Sequence, residues 1–149
     1  MEVEINRDYY LDQIIKRRHN GLIKIVTGIR RCGKSYLLRT LFRNYLLADG
    51  VEEDHIIEMA FDLYDNIDFR DPKVFYPWAK EQIKDDKKYY FLLDEVQLLG
   101  EFVSVLNGLA DKKNCDVYVT GSNAKFLSRD IATEFGGRGD EVHMYPLSF

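Results

Sequence analysis

Two kinds of apolar pattern alternate along this chain. Residues 22–27, 56–62, 89–95, 117–123 and 141–145 are short and rich in β-branched or aromatic side chains, and all but the last are largely apolar. Such runs predict strands buried on both faces of a sheet. Between them, apolar residues return every three or four positions, as one face of a helix requires. Tyr10, Leu11, Ile14 and Ile15 mark a helix over 6–18, with Asn6 or Asp8 as its cap. Tyr36, Leu37, Leu38, Leu41, Phe42, Tyr45 and Leu46 mark a second, stopped by Asp49-Gly50. A third opens at Asp71-Pro72 and buries Val74, Phe75, Trp78, Ala79 and Ile83. Phe102, Val105, Leu106 and Leu109 mark a fourth over 101–113, and a fifth spans 125–135 before Gly136-Gly137-Arg138-Gly139. Five strands alternating with helices predict right-handed crossovers and a parallel sheet covered on both sides. With 149 residues and no repeat or linker, the chain reads as one α/β domain.

The first strand runs into Gly28-Ile29-Arg30-Arg31-Cys32-Gly33-Lys34-Ser35, and a helix follows at once. This is the phosphate-binding loop G-x-x-x-x-G-K-[ST] in the strand–loop–helix setting that the motif needs. Gly28 and Gly33 let the backbone turn tightly around an anion. The N–H groups of the loop converge on the β-phosphate beside the positive helix end. Lys34 is expected to reach the β- and γ-phosphates, and the Ser35 hydroxyl to ligate Mg²⁺. The nucleotide-binding stretch therefore comprises Gly28, Ile29, Arg30, Arg31, Cys32, Gly33, Lys34, Ser35 and Tyr36. Arg30 and Arg31 either add positive potential or form a solvated pair at the loop tip. Cys32, near a helix N-terminus and Lys34, is expected to be the more reactive of the two cysteines.

The run Tyr89-Tyr90-Phe91-Leu92-Leu93 ends in Asp94-Glu95, about sixty residues after the loop. Ligands bind at that end of open α/β sheets. Asp94 is expected to hold Mg²⁺ opposite Ser35, and Glu95 to polarise the attacking water. At the tip of the fourth strand, Ser122 or Asn123 either faces the γ-phosphate or caps the next helix. Tyr9 or Tyr10 either flanks an adenine or packs against the core, and Asp62 and Asp65 leave the second strand.

Charge and composition narrow the partners. A net charge of −4 without a basic run gives no sign of nucleic-acid binding. The longest apolar runs are too short to span a membrane and the polar start is no signal peptide, so the expected compartment is the cytoplasm. Cys32 and Cys115 form neither a metal nor a disulfide pattern.

Taken together, GIRRCGKS, FLLDEVQ, VTGSNAKFLS, GGR and YPLSF resemble the N-terminal ATPase domain of the AAA+-like bacterial and archaeal P-loop ATPases. The resemblance runs from Asn6 to Phe149. It implies a five-stranded sheet ordered 5-1-4-3-2, a catalytic role for Glu95, and the sensor-1 position for Ser122-Asn123. It implies an arginine finger at Arg138, acting across a subunit interface, and a further C-terminal region after residue 149. The expected activity is Mg²⁺-dependent ATP hydrolysis, carried by Lys34, Glu95, Asn123 and Arg138. Its partners would be ATP and ADP, with self-association or a partner held by the C-terminal region left open. A nucleotide-gated binding module with negligible hydrolysis is the alternative. A P-loop kinase for a small acceptor is a weaker one, because the Asp94-Glu95 pair and the polar Ser122-Asn123 tip argue against it.

Overall fold

A computed structural model describes residues 2–28, 33–121 and 137–145, with side chains from Asp8 onward. Its centre is a five-stranded, all-parallel sheet: β1 (Ile23–Thr27), β2 (Ile56–Ala60), β3 (Tyr89–Asp94), β4 (Cys115–Thr120) and β5 (Gly139–His143). The strands lie in the order β2-β3-β4-β1-β5, the expected order read from the other edge. β4 thus separates β1 from β3, with Ile25 paired to Val119 and Leu93 paired to the same Val119.

Alternation within the buried strands sends side chains to two separate cores. Tyr89, Phe91 and Leu93 of β3 join Ile23, Ile25, Val117 and Val119 on one face. That face is closed by α4 (Pro72–Glu81) and α5 (Phe102–Ala110), through Phe75, Ala79, Leu106 and Leu109. Tyr90 and Leu92 join Val26, Tyr118 and Val142 on the other face. There α1 (Glu2–Lys16) supplies Ile14, and the helix after the loop supplies Leu37, Leu38, Phe42 and Leu46. That helix is α2 (Lys34–Tyr36), a π-helical stretch Leu37–Phe42, and α3 (Arg43–Ala48), with α-helical backbone at each junction. At Asp71 the expected cap forms: its side chain accepts a hydrogen bond from the Lys73 N–H, with Pro72 in the first turn.

Several expectations need correction. α1 starts at Glu2, so Asn6 and Asp8 lie within the helix and not at its start. Both residue types cost only a few tenths of a kcal/mol in a helix interior, so their presence does not fix a boundary. Val74 faces outward, because Phe75 and Ala79, four apart, take the buried stripe. β5 begins at Gly139, before the apolar positions that suggested it, because pairing to β1 starts at Ile23. β4 starts two residues early, at Cys115, and stops at Thr120. The helix expected over 125–135 lies outside the described residues.

One buried charge pair crosses the sheet between β1 and β4. Lys24 is fully buried and pairs with Asp116, whose other oxygen accepts from Tyr118 Oη (2.5 Å) and the His19 backbone N–H (3.0 Å). Burial lowers the proton affinity of Lys24, which Asp116 partly restores.

Candidate functional site

The site grows from the C-terminal ends of β1, β3 and β4. β1 passes into Gly28, and the loop returns at Gly33 before α2; their φ values are 141° and 96°. Among the described residues a Cβ on Gly33 would meet Met144 Cε alone, at 3.8 Å, and the left-handed backbone there favours glycine. Lys34 follows, almost fully buried, and its Nζ donates to the Gly28 carbonyl at 2.9 Å. The lysine thereby closes the loop across its own mouth.

Ser35 projects from the same turn towards β3. Its Oγ donates to Asp94 Oδ2 at 2.9 Å. The other carboxylate oxygen, Oδ1, accepts from Thr120 Oγ1 at 2.5 Å, and Thr120 Oγ1 in turn accepts from the Glu95 N–H at 2.8 Å. A hydrogen-bonded chain therefore links the loop helix, the end of β3 and the end of β4. Burial pushes the Asp94 carboxyl above its ordinary value; the bonds from Thr120 and Ser35 pull the other way, and Glu95 and Asp62 add to the rise. No cation pairs with Asp94 among the described residues. A buried carboxylate beside a hydroxyl, both hard oxygen donors and short of positive charge, fits a small divalent cation.

Glu95 turns away from the strand with φ 54° and ψ 52°, a left-handed conformation uncommon for a residue with a side chain. Its Oε1 accepts from Gln97 Nε2 at 2.7 Å. Gln97 sits in the single helical turn Val96–Leu98, pinned by the buried Val96 and Leu99.

The structure thus brings together Gly28, Gly33, Lys34, Ser35, Asp94 and Glu95. Tyr36, next in the helix, is 44% exposed. Ile29, Arg30, Arg31, Cys32, Ser122, Asn123 and the PLSF segment lie outside the described residues. Cys115 opens β4, and burial pushes its thiol up to about 11, which keeps it a poor nucleophile. Tyr9 is exposed, whereas Tyr10 packs on the core and its Oη accepts from the Tyr145 N–H at 3.1 Å. Asp62 and Asp65 are exposed.

Arg138 is not part of this group. Its carbonyl accepts from the Ile23 N–H at 2.7 Å, at the opposite end of β1 from the loop. Five residues of strand, about 16 Å, separate the two. Its guanidinium pairs with Asp111 (2.6 Å) and donates to the Asn107 carbonyl (3.3 Å).

Two contributors escaped the sequence reading. Thr120 touches both Asp94 and Glu95, and its signal was a hydroxyl closing the apolar run Val117-Tyr118-Val119. Gln97 lay in plain view in the DEVQ segment, but its reach back to Glu95 depends on the left-handed turn.

A family described as "AAA domain" matches residues 20–149. An uncharacterised protein of Haemophilus influenzae is 36% identical over 146 residues, covering 97% of this chain and 36% of that protein. The chain spans about a third of the length of the curated relatives it matches. Among solved structures, Drosophila ORC bound to AT-rich DNA and Cdc6 superposes with a TM-score of 0.62 at 10% identity, over 99% of this chain and 59% of that one. AMPPCP-bound DnaA from Aquifex aeolicus gives 0.53 at 18% identity, over 90% and 43%. Both likenesses are of fold. No helix among the described residues is long and apolar enough to cross a membrane.

Proposed function

Because this chain belongs to the AAA domain family, we propose that its loop 28–35 binds Mg-ATP and that the domain hydrolyses it with a water positioned by Glu95. The observation that carries this reading is the chain Ser35–Asp94–Thr120–Glu95, which ties the phosphate loop to the paired carboxylates. Lys34 exchanges the Gly28 carbonyl for the β- and γ-phosphate oxygens, a neutral acceptor for charged ones. Ser35 and Asp94 hold Mg²⁺. Held by these two oxygen donors, the ion would supply positive charge beside the phosphates.

Glu95 accepts the proton of the attacking water, while the Thr120 hydroxyl fixes the backbone from which it projects. Ser122 or Asn123, with Asn123 preferred, is assigned the orienting of that water. Arg138, at the far end of β1, serves only a neighbouring copy's γ-phosphate. What hydrolysis drives belongs to the whole protein, of which this domain is about a third in its curated relatives.

Phosphate release measured with and without Mg²⁺, and with and without small acceptors, tests the reading. Release that needs Mg²⁺ but no acceptor supports it. Nucleotide binding without release supports the gated binding module instead, and release into an acceptor supports a kinase. Lys34→Ala is expected to abolish binding of a fluorescent ATP analogue, since Lys34 alone brings a mobile cation to those phosphates in this reading. Unchanged affinity overturns it.

A further inference from the structure

Asp94 offers two carboxylate oxygens, and the fold treats them differently. Oδ2 lies towards the loop helix, where it accepts from Ser35 Oγ at 2.9 Å. Oδ1 lies towards β4, where it accepts from Thr120 Oγ1 at 2.5 Å. Thr120 has no exposed surface and Asp94 is 4% exposed, so bulk water does not compete for the bond between them.

The direction of that bond follows from a count of protons. A threonine hydroxyl carries one proton and two lone pairs. A lone pair of Thr120 Oγ1 receives the Glu95 N–H at 2.8 Å, and an N–H cannot accept. The hydroxyl proton is therefore left for Oδ1, and Thr120 is a standing donor to that oxygen while Asp94 is ionised. Both residues end strands inside the sheet. The Asp94 carbonyl accepts from the Phe61 N–H at 3.1 Å, and Thr120 is in register with Val26 of β1. Threonine is also stiff about χ1, so its hydroxyl keeps its aim on the carboxylate.

We propose that Thr120 sets the metal preference of the site: it engages Oδ1, leaves Asp94 to bind an ion through Oδ2, and so favours Mg²⁺ over Ca²⁺. This rests on the reading of Ser35 and Asp94 as the holders of the ion. Ca²⁺ takes more oxygens in a looser shell and accepts both oxygens of one carboxylate. Mg²⁺ demands a tight octahedron, which the two oxygens of one carboxylate span poorly. Thr120 acts through Asp94 and is a positioning residue. Without its hydroxyl, Oδ1 is released, the carboxylate turns more freely, and binding through both oxygens becomes open to the larger ion.

Affinity of the full-length protein for a fluorescent ATP analogue, measured with Mg²⁺, with Ca²⁺ and in EDTA, decides it. Wild type is expected to bind more tightly with Mg²⁺ than with Ca²⁺. Thr120→Val keeps the shape and loses the hydroxyl. It is expected to lower that ratio by about 10-fold or more, the scale on which the partners of metal ligands act, with affinity in EDTA unchanged. Thr120→Ser keeps the donor and is expected to keep the ratio. In the Asp94→Asn background, Thr120→Val is expected to move the ratio no further, because the carboxylate it positions is gone. Thr120→Ala carries the same expectations if Thr120→Val does not fold. No preference for Mg²⁺ in wild type, a ratio unmoved by loss of the hydroxyl, or an equal fall in Thr120→Ser overturns the role of Thr120 and leaves Ser35 and Asp94 as metal holders. So does a loss of affinity that is as large in EDTA as with Mg²⁺. Wild-type affinity that is the same in EDTA as with either ion overturns the metal reading itself, and the role of Thr120 with it.

Discussion

At the scale of single residues, the candidate site hinges on one buried carboxylate whose charge is disfavoured by burial. The folded-state proton affinity of Asp94 is raised, so its stabilising effect is full below the ordinary carboxylate value of 3.8 and is lost as pH rises through the higher folded value. Without Mg²⁺ and nucleotide, Asp94→Asn is therefore expected to be more stable than wild type at pH 7 and to lose that advantage near pH 3. Chemical denaturation at the two pH values measures it. The same variant is expected to weaken the Mg²⁺ dependence of nucleotide binding. Glu95→Gln is expected to keep Mg-ATP binding and lower hydrolysis by about 10²-fold or more. Identical behaviour of the two variants in both assays would refute the separate roles. Gly28, Gly33, Lys34, Ser35, Asp94 and Glu95 were legible because loop and carboxylates are contiguous motifs with fixed chemistry. Thr120 and Gln97 were not, because their contacts arise from strand order and a backbone turn rather than from spacing along the chain.

At the scale of elements, β1 and β4 are joined by more than their ladder. Asp116 is the only acid among the described residues that pairs with the fully buried Lys24, and it also accepts from Tyr118 Oη and the His19 N–H. Removing it leaves a cation buried without compensation, so Asp116→Ala is expected to cost about 3–5 kcal/mol. Replacing both partners, Lys24→Met with Asp116→Leu, is expected to recover most of that loss. Guanidinium denaturation midpoints at constant slope would show it, and equal destabilisation by single and double variants would refute it. The pattern of residues 22–27 announced a buried strand correctly but gave no hint of its buried charge, since one lysine in an apolar run reads as a tolerated exception. Helix starts were legible where a specific cap exists, as at Asp71-Pro72, and illegible at α1, where polar residues continue straight into the helix.

At the scale of the whole molecule, the parallel α/β architecture followed from the alternation of patterns, and the observed strand order agrees with what the family resemblance implied. Periodicity alone could not have ordered the strands, because all four crossovers look alike along the chain. Loop and Arg138 occupy opposite ends of β1, so an arginine finger requires a second copy. Turnover per chain is then expected to rise with protein concentration, and Arg138→Ala to remove the rise, costing up to about 10³-fold while leaving affinity intact. Turnover independent of concentration, in the full-length protein, would leave Arg138 as the partner of Asp111 and nothing more. The strand order also has a consequence for synthesis. β1 is made first, yet its sheet neighbours are β4 and β5, while β2 and β3 pair with each other. At ordinary translation speeds, Ile23–Thr27 waits on the order of 10 s before Cys115–Thr120 is made. During that interval β2 and β3 can already zip together, but the phosphate loop hangs from a strand that has no neighbour. A nascent chain stalled before Cys115 should therefore fail to retain nucleotide, and capture competence should switch on only when the middle strand of the sheet has left the ribosome.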